Sequence, residues 1–417
     1  MIALVDVNNF YVSCERLFNP KLLNKPVVVL SNNDGCIISR SNEAKLLGIK
    51  MGTPLFKIKS VIKSSSIIAL SSNYSLYADI SNRTMILLAS FSPQQEIYSI
   101  DECFLDLSGN RKLNATGQTI KKKLWQYLGM PVCVGIAPTK TLAKLANYCA
   151  KKQPEWSGVC NFSELPTIRI DNIMSKIRIS EVWGVGNKTA NKLNSIGIYS
   201  VLDLKKSDAI QIKNIFSIKL EKIIYELNKT ICFPIDLKIP LKKQIISSRS
   251  FGRSIQSYDL LVEAVTTFTS RAAYKSRQQS TLAEYVSVFV SSSPFQKKNF
   301  YQKNITLKLP YPTNDTNLIV SIALEGAKSI YKDDVKYVKC GVTLSGLIGE
   351  HRTQDYLWPI KTIERSRLTQ VIDTINVKFD KQSIRLATEP INPIWKMNQS
   401  RKSQSFTTSW KELLLVN

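Results

Sequence analysis

Apolar and polar positions nearly alternate through Glu96-Ile-Tyr-Ser-Ile-Asp-Glu-Cys-Phe-Leu-Asp-Leu-Ser108, and the stretch is rich in β-branched and aromatic side chains. A period of two predicts strands rather than helix. The run Ile2–Val7 is continuously apolar up to Asp6 and predicts a buried strand. Asn8 or Asn9 is then a suitable N-cap for a helix carrying Phe10, Tyr11, Cys14 and Leu17. Further strands are expected at Pro26–Ser31 and Val132–Ile136, and helices at Ser41–Leu47, Tyr74–Phe91, Thr116–Leu128 and Thr139–Lys152, with Asn32-Asn33-Asp34-Gly35 as a strong turn. Strand, helix, two strands, helix, strand is the β-α-β-β-α-β order of a ferredoxin-like sheet, in which the strand ends bearing Asp6 and Asp101 can lie side by side.

From Pro166 to about Pro234 the pattern is helical. Within it, Val182-Trp-Gly-Val-Gly186 precedes Thr189-Ala-Asn-Lys-Leu193, the arrangement of a helix-hairpin-helix. Glycines there let backbone N–H groups approach a phosphate at a helix N-terminus, binding duplex backbone without reading sequence. A plain helical turn is the alternative. After the basic link Lys238–Lys243, strands at Gln244–Phe251, Leu282–Ser292, Asn304–Leu309 and Tyr337–Leu344 and helices at Tyr258–Gln278 and Thr316–Tyr331 repeat the β-α-β-β-α-β order without repeating the sequence. Arg249 and Arg253 flank Phe251-Gly252, Lys297-Lys298 falls in a loop, and a basic sheet of this size could lie along a duplex groove. The remainder, Ser345–Asn417, reads as a polar tail with apolar points at Trp358, Trp395 and Trp410, partly helical near Thr362–Asn376.

Composition changes this picture in two ways. The 417 residues suffice for several domains, and 57 Lys and Arg against 32 Asp and Glu give a net charge of +25, which points to a polyanionic partner. No apolar run approaches bilayer length and the start lacks the features of a signal peptide, so no span across a membrane is expected; nucleic acid and an acidic membrane surface are the two candidate partners, in a reducing cytoplasm. The 8 cysteines are scattered without a C-x-x-C pair, so neither a zinc ribbon nor a disulfide framework is indicated. The single histidine, His351, makes Ser-His-Asp chemistry and His-rich metal sites poor candidates. Chemistry should therefore rest on carboxylates, lysines and bound metal.

The adjacent acids Asp101 and Glu102 are the leading candidates. Neighbours on a straight strand point to opposite faces, but a hairpin end could bring both to one site. Two acids in an apolar strand repel each other and are costly to bury, a cost that a divalent cation between them relieves. One solvated and one salt-bridged acid is the plainer alternative. At the other end, the order strand, Asp6, helix N-terminus offers unpaired N–H groups to an anion such as a triphosphate.

Together, Asp6-Val-Asn-Asn-Phe-Tyr-Val-Ser-Cys-Glu15, Ser31-Asn-Asn-Asp-Gly-Cys36, Glu43-Ala-Lys45, Ser72-Asn-Tyr-Ser-Leu-Tyr-Ala-Asp79, Ser99-Ile-Asp-Glu102, Gly135-Ile-Ala-Pro-Thr-Lys-Thr-Leu-Ala-Lys-Leu-Ala-Asn147 and Ser248-Arg-Ser-Phe-Gly252 resemble a Y-family translesion DNA polymerase of the UmuC branch, the catalytic subunit of bacterial DNA polymerase V. The resemblance implies an α+β, multidomain right-hand fold: ferredoxin-like palm (1–30 and 73–165), small fingers (31–72), helix-hairpin-helix thumb (166–236), little finger (237–346) and C-terminal tail (347–417). It implies error-prone, template-directed synthesis in an SOS-type damage response. Asp6, Asp101 and Glu102, with the Val7 carbonyl, would hold two Mg2+ ions. Asn9, Phe10, Tyr11, Ser39, Lys45 and Lys151 would bind the dNTP, Lys45 standing where relatives more often carry arginine. Tyr11 would exclude a ribose 2′-hydroxyl, a core tyrosine being its alternative role. Gly184, Gly186, Lys188, Arg249 and Arg253 would contact DNA. Fingers this short leave no long closing helix to check base-pair shape, and no segment remains for a proofreading exonuclease. Gln354, Leu357 and Trp358 resemble a sliding-clamp-binding peptide, and the family implies a UmuD-type dimer and RecA as further partners of an enzyme on damaged primer–template DNA. A non-catalytic DNA-binding accessory protein and a helix-hairpin-helix repair enzyme such as a glycosylase are the competing classes.

Overall fold

The computed structural model describes residues 1–58, 66–237, 241–295, 300–350, 366–379 and 383–413. Lys297-Lys298, His351 and the Gln354–Trp358 peptide lie outside the described residues. The chain forms two compact units. One comprises Met1–Ser31, Gly35–Ile239 and Arg401–Asn417; the other comprises Asn32–Asp34 and Pro240–Ser400.

The first unit is built on β1 (Ile2–Val7). All six of its residues are buried, and it pairs antiparallel with both β6 (Glu102–Asp106) and β7 (Val132–Ala137). The sheet order is β5-β6-β1-β7-β8, with β5 at Gln95–Ile97 and β8 at Val159–Asn161. Its first four strands have the ferredoxin-like arrangement expected; β8, a short edge strand absent from the sequence reading, adds to β7 in parallel. A continuous apolar run suits β1 because both of its faces are covered. Ile2, Leu4 and Phe104 meet α5 (Lys140–Lys152), whereas Ala3, Val5, Val7, Cys103 and Leu105 meet α1 (Phe10–Phe18), α3 (Tyr74–Ala89) and α4 (Leu113–Leu128).

A second, three-stranded sheet is formed by β2 (Val27–Leu30), β3 (Ile37–Arg40) and β4 (Ile68–Ser71) in the order β3-β2-β4, with α2 (Asn42–Leu46) capped by the Ser41 side chain. The strand at 27–30, grouped from sequence with residues 1–30, is thus hydrogen-bonded to the segment that follows it. Helices α6 to α10 (Thr167–Lys176, Asn187–Asn194, Val201–Lys206, Ala209–Ile215 and Ile218–Leu227) add their apolar residues to the core beneath α5.

The second unit repeats the element order with a different strand order. Its strands β9 (Ile245–Ile255), β10 (Thr281–Ser292), β11 (Gln302–Thr313) and β12 (Tyr337–Ser345) are arranged β11-β10-β12-β9, so the first strand lies at an edge. Helices α11 (Tyr258–Gln278) and α12 (Thr316–Ile330) contribute to the core on one face. The segment read as a tail is only partly one. Trp395 is 1% exposed and packs on Phe251 and Phe268, while α13 (Ser366–Lys378) carries Asp373, held bidentately by Arg277 at 2.7 and 2.9 Å. Gly252 admits this passage, since a Cβ there would lie 2.3 Å from the Lys396 carbonyl oxygen. Among the described residues no helix is long and apolar enough to cross a membrane.

Candidate active site

The site follows from strand parity. Asp6 and Glu102 are cross-strand partners on β1 and β6, so both side chains project from the face that carries α5. Asp101 precedes Glu102 and has the opposite parity. It ends the Tyr98–Asp101 turn, its carbonyl accepts the Val7 N–H at 2.9 Å, and its carboxylate accepts the Ser99 hydroxyl at 2.6 Å. Its charge is felt at Tyr11 and Cys14 on the α1 side. Among the described residues no group of three or more His, Cys, Asp or Glu side chains converges as a metal cage. The turn places the three acids at one end of the sheet, Asp6 and Glu102 as cross-strand partners and Asp101 next to Glu102 in the turn.

Helix α5 supplies the countercharges. Lys140, Lys144 and Lys151 recur at helical spacing, and each meets an acid: Lys140 with Glu96, Lys144 with both oxygens of Glu102 at 2.9 and 3.0 Å, and Lys151 with Asp6 at 2.6 Å. Burial pushes the Asp6 carboxyl up to about 7; the Lys151 ammonium opposes the rise, and Glu102 adds to it. Thus two carboxylates face each other at a buried position that favours a cation. Carboxylates, with water and phosphate oxygens completing the shell, are the ligands that magnesium prefers, so the residues fit that ion. The cleft beside them encloses about 240 Å³ and includes Asp6, Glu102, Lys144, Tyr148, Lys151 and Trp183 in its lining.

The helix can come this close because of Gly135 on β7: a Cβ there would lie 2.2 Å from the Asn147 backbone N and 2.3 Å from the Ala143 carbonyl oxygen. Lys140 and Lys144 are site residues beyond those that the sequence motifs name, although their helical spacing from Lys151 is visible in the sequence. Sequence alone did not show which acids they would face.

Asn9 occupies the position before α1, but it does not cap the helix. Its backbone is left-handed (φ 50°), whereas side-chain capping uses an extended N-cap residue. Asn9 Nδ2 instead donates to Asn42 Oδ1 at 3.1 Å, and Asn9 Oδ1 accepts Lys45 Nζ at 2.6 Å; Ser39 Oγ donates to the Asn9 carbonyl at 3.4 Å. Burial lowers the Lys45 pKa, as do the positive charges of Arg40, Lys151 and Lys152, while Asp6 raises it. Asn9, Ser39, Lys45 and Lys151 are therefore brought together. Arg40, whose guanidinium donates to the Ile49 carbonyl, joins this basic field unforeseen. Phe10 is buried, and the half-buried Tyr11 stacks on Tyr77 at 4.5 Å and meets Tyr74 edge-on at 6.2 Å.

In the helical segment, Gly184 has φ +84° and Gly186 is the extended N-cap of α7, whose second residue, Lys188, is exposed. A single 3-10 turn, Ile179–Glu181, precedes the glycines. Trp183 donates its indole N–H to the Tyr98 hydroxyl at 2.9 Å, fastening this turn to the hairpin that carries Asp101.

In the second unit Arg253 is exposed. Arg249 lies opposite Cys340 on the helix-covered side, where burial and Arg271 form its surroundings. The other face of that sheet runs Thr306, Ser287, Thr343, Ile246 in one row and Asn304, Phe289, Gly341, Ser248 in the next. Neither row contains a carboxylate.

Two family models match the chain: the impB/mucB/samB family over residues 5–148 and its C-terminal domain over 242–357. A third, a domain of unknown function, matches 366–416. The chain is 38% identical to Protein ImpB of Salmonella typhimurium over 100% of its own length and 99% of that protein, and 39% identical to Protein UmuC of Salmonella typhimurium strain LT2 over 100% of both. It is 30% identical to DNA polymerase IV of Picrophilus torridus over 61% of this chain and 71% of that one. Among solved structures, a Dbh–Dpo4 Y-family polymerase chimera aligns with a TM-score of 0.66 at 23% identity, covering 84% of this chain and all of that one. DinB from Sulfolobus solfataricus aligns with a TM-score of 0.52 at 21% identity over the same shares.

Proposed function

Since the chain belongs to the impB/mucB/samB family, we propose that Asp6, Asp101 and Glu102 form the nucleotidyl-transfer centre of a UmuC-type Y-family enzyme. The protein is a DNA-directed DNA polymerase of translesion synthesis, requiring a divalent metal and binding primer–template DNA. The observation that supports the site assignment is the pairing of Asp6 with Glu102 across β1 and β6, buried and countercharged from α5.

In this reading the metal is magnesium, held by Asp6, Asp101, Glu102 and the Val7 carbonyl. The chemistry two such ions supply is activation of the primer 3′-hydroxyl and neutralisation of charge on the departing pyrophosphate. Lys45 and Lys151, with Ser39 and the backbone at Asn9 and Phe10, hold the triphosphate of a dNTP. Lys144 and Lys151 keep the acids in position through their ion pairs. Tyr11 lies under the deoxyribose and leaves no room for a 2′-hydroxyl.

Gly184, Gly186 and Lys188 grip duplex phosphates through the N-terminus of α7. The two carboxylate-free rows of the sheet and Arg253 lie along a DNA groove, with Arg249 supporting from the helix side. Gln354, Leu357 and Trp358 bind a sliding clamp, and a UmuD-type dimer and RecA complete the working assembly in the cytoplasm during the SOS-type response.

Primer extension with magnesium and dNTPs tests the assignment. Asp101→Asn is expected to abolish extension while leaving primer–template affinity nearly unchanged, because it removes a metal-binding charge and leaves the fold intact. Parent-level extension in that variant would refute it.

A further inference from the structure

The segment 401–406 lies within the match to a domain of unknown function, yet it completes hydrogen bonds that the core of the first unit leaves open. Ser71, Asn73 and Glu15 are 0%, 0% and 1% exposed. Ser71 donates its N–H to the Arg401 carbonyl at 3.0 Å, and its hydroxyl accepts the Arg401 N–H at 3.0 Å, forming a parallel bridge at the end of β4. Asn73 Nδ2 donates to Ser403 Oγ at 2.9 Å and to the Gln404 carbonyl at 3.0 Å. Ser403 Oγ donates in turn to Glu15 Oε1 at 3.1 Å. Phe406 stacks on Phe18, at the end of α1, at 4.9 Å and 8°. Buried polar groups need such partners, so this segment is part of the first unit's core.

These contacts lead directly to Tyr11. Glu15 Oε1 also accepts the Tyr77 hydroxyl at 2.6 Å, and the Tyr77 ring is the one on which Tyr11 stacks, 4.5 Å away at 19°. Asn73 immediately precedes Tyr74, which meets both rings edge-on at 6.2 Å. One serine hydroxyl therefore touches both supports of the aromatic group: α1 through Glu15 and the start of α3 through Asn73. We infer that Ser403 and the segment around it position the Tyr11–Tyr77 pair, so that residues 401–406 set how strictly the enzyme rejects ribonucleotides. This rests on the reading of Tyr11 as the sugar-facing residue.

The effect should be one of precision. Tyr11 stays in place, but its backing ring loses a fixed hydrogen-bond network. About an ångström of misplacement can cost on the order of a hundredfold, so a rise of roughly tenfold in ribonucleotide acceptance is expected.

The test compares kcat/KM for a ribonucleoside triphosphate and its deoxy counterpart in the full chain carrying Tyr11→Ala, Ser403→Ala or Ser403→Thr. The inference expects Tyr11→Ala to raise the ribo-to-deoxy ratio most and Ser403→Ala to raise it by roughly tenfold with deoxynucleotide turnover largely kept. Ser403→Thr, which retains the hydroxyl, should restore the parent ratio. If Tyr11→Ala raises the ratio but Ser403→Ala does not, the positioning role is wrong while the gate stands. If Ser403→Ala lowers both activities in parallel, the segment acts on stability alone, which also overturns the inference. If Tyr11→Ala leaves the ratio unchanged, the gate reading fails and this inference fails with it.

Discussion

At the scale of single residues, the first unit is governed by buried charge. Asp6, Glu102 and Glu96 each meet a lysine from one helix, whereas Glu15 meets none and is held by two hydroxyls and the more distant charge of Lys402. Burial pushes the Glu15 carboxyl above its ordinary range, and the hydrogen bonds from Tyr77 and Ser403 only partly oppose it. An acid raised in this way takes up a proton more readily folded than unfolded. Its contribution to stability is present below the unfolded carboxyl pKa of about 4.3 and is lost as pH rises through the folded value. Glu15→Gln removes that dependence. Thermal melts between about pH 4 and pH 8 are expected to show the variant gaining in Tm relative to the parent as pH rises. A difference that stays constant across the range would mean that Glu15 carries no such shift.

At the scale of elements, the decisive fit is α5 against β7. A helix that presents three lysines to three acids must lie close to the sheet, and Gly135 permits the approach by lacking a side chain. Gly135→Ala forces a Cβ into helix backbone that no rotamer change can clear. Its cost should reach about 3 kcal/mol, the upper end for overpacking, and synthesis should fall as Lys144 and Lys151 are displaced from the acids. Denaturant unfolding, read beside primer extension, checks both effects. A fully stable and active alanine variant would show that the helix has room to move. The hairpin turn that carries Asp101 is also fastened by Trp183 through Tyr98, both rings lying within reach of the Lys144 ammonium, so α5 and the Trp183 turn brace the acids together.

At the scale of the whole molecule, a charge of +25 dominates association with a polyanion. Primer–template affinity is expected to fall on the order of 10³-fold between about 50 and 200 mM salt and to depend little on sequence, since each phosphate contact releases counterions. Affinity that holds steady with salt would assign the charge to another partner. The proposed clamp binding is a separate matter of tethering. Replacing Leu357 and Trp358 together with alanine should reduce synthesis on clamp-loaded templates and spare extension without the clamp, because a tether raises effective concentration without touching the site. Equal loss of both activities would make the pair core residues instead.

Local pattern determined a good deal of this protein by itself. The continuous apolar run of β1 marked a strand covered on both faces, and the alternation near Asp101 marked the hairpin. The β-α-β-β-α-β order of each unit was legible, apart from the short edge strand β8, and so were the ends of several helices, because period and capping act over a few residues. Acids in apolar strands conflict with their surroundings, which marks Asp101 and Glu102 as candidates; joining them with Asp6 in one site rests on the resemblance of the flanking motifs. Tertiary structure alone decided which groups answer that conflict. The same β-α-β-β-α-β order yields a central first strand in one sheet and an edge first strand in the other, since strand order depends on which faces are covered. The partners of Glu15, Asn73 and Ser71 arrive from residues 401–404, and Trp395 fills a core begun at Ile245. Such pairings are set by the cost of leaving buried polar groups unbonded and cavities unfilled, and residues so far apart along the chain carry no local pattern that records it.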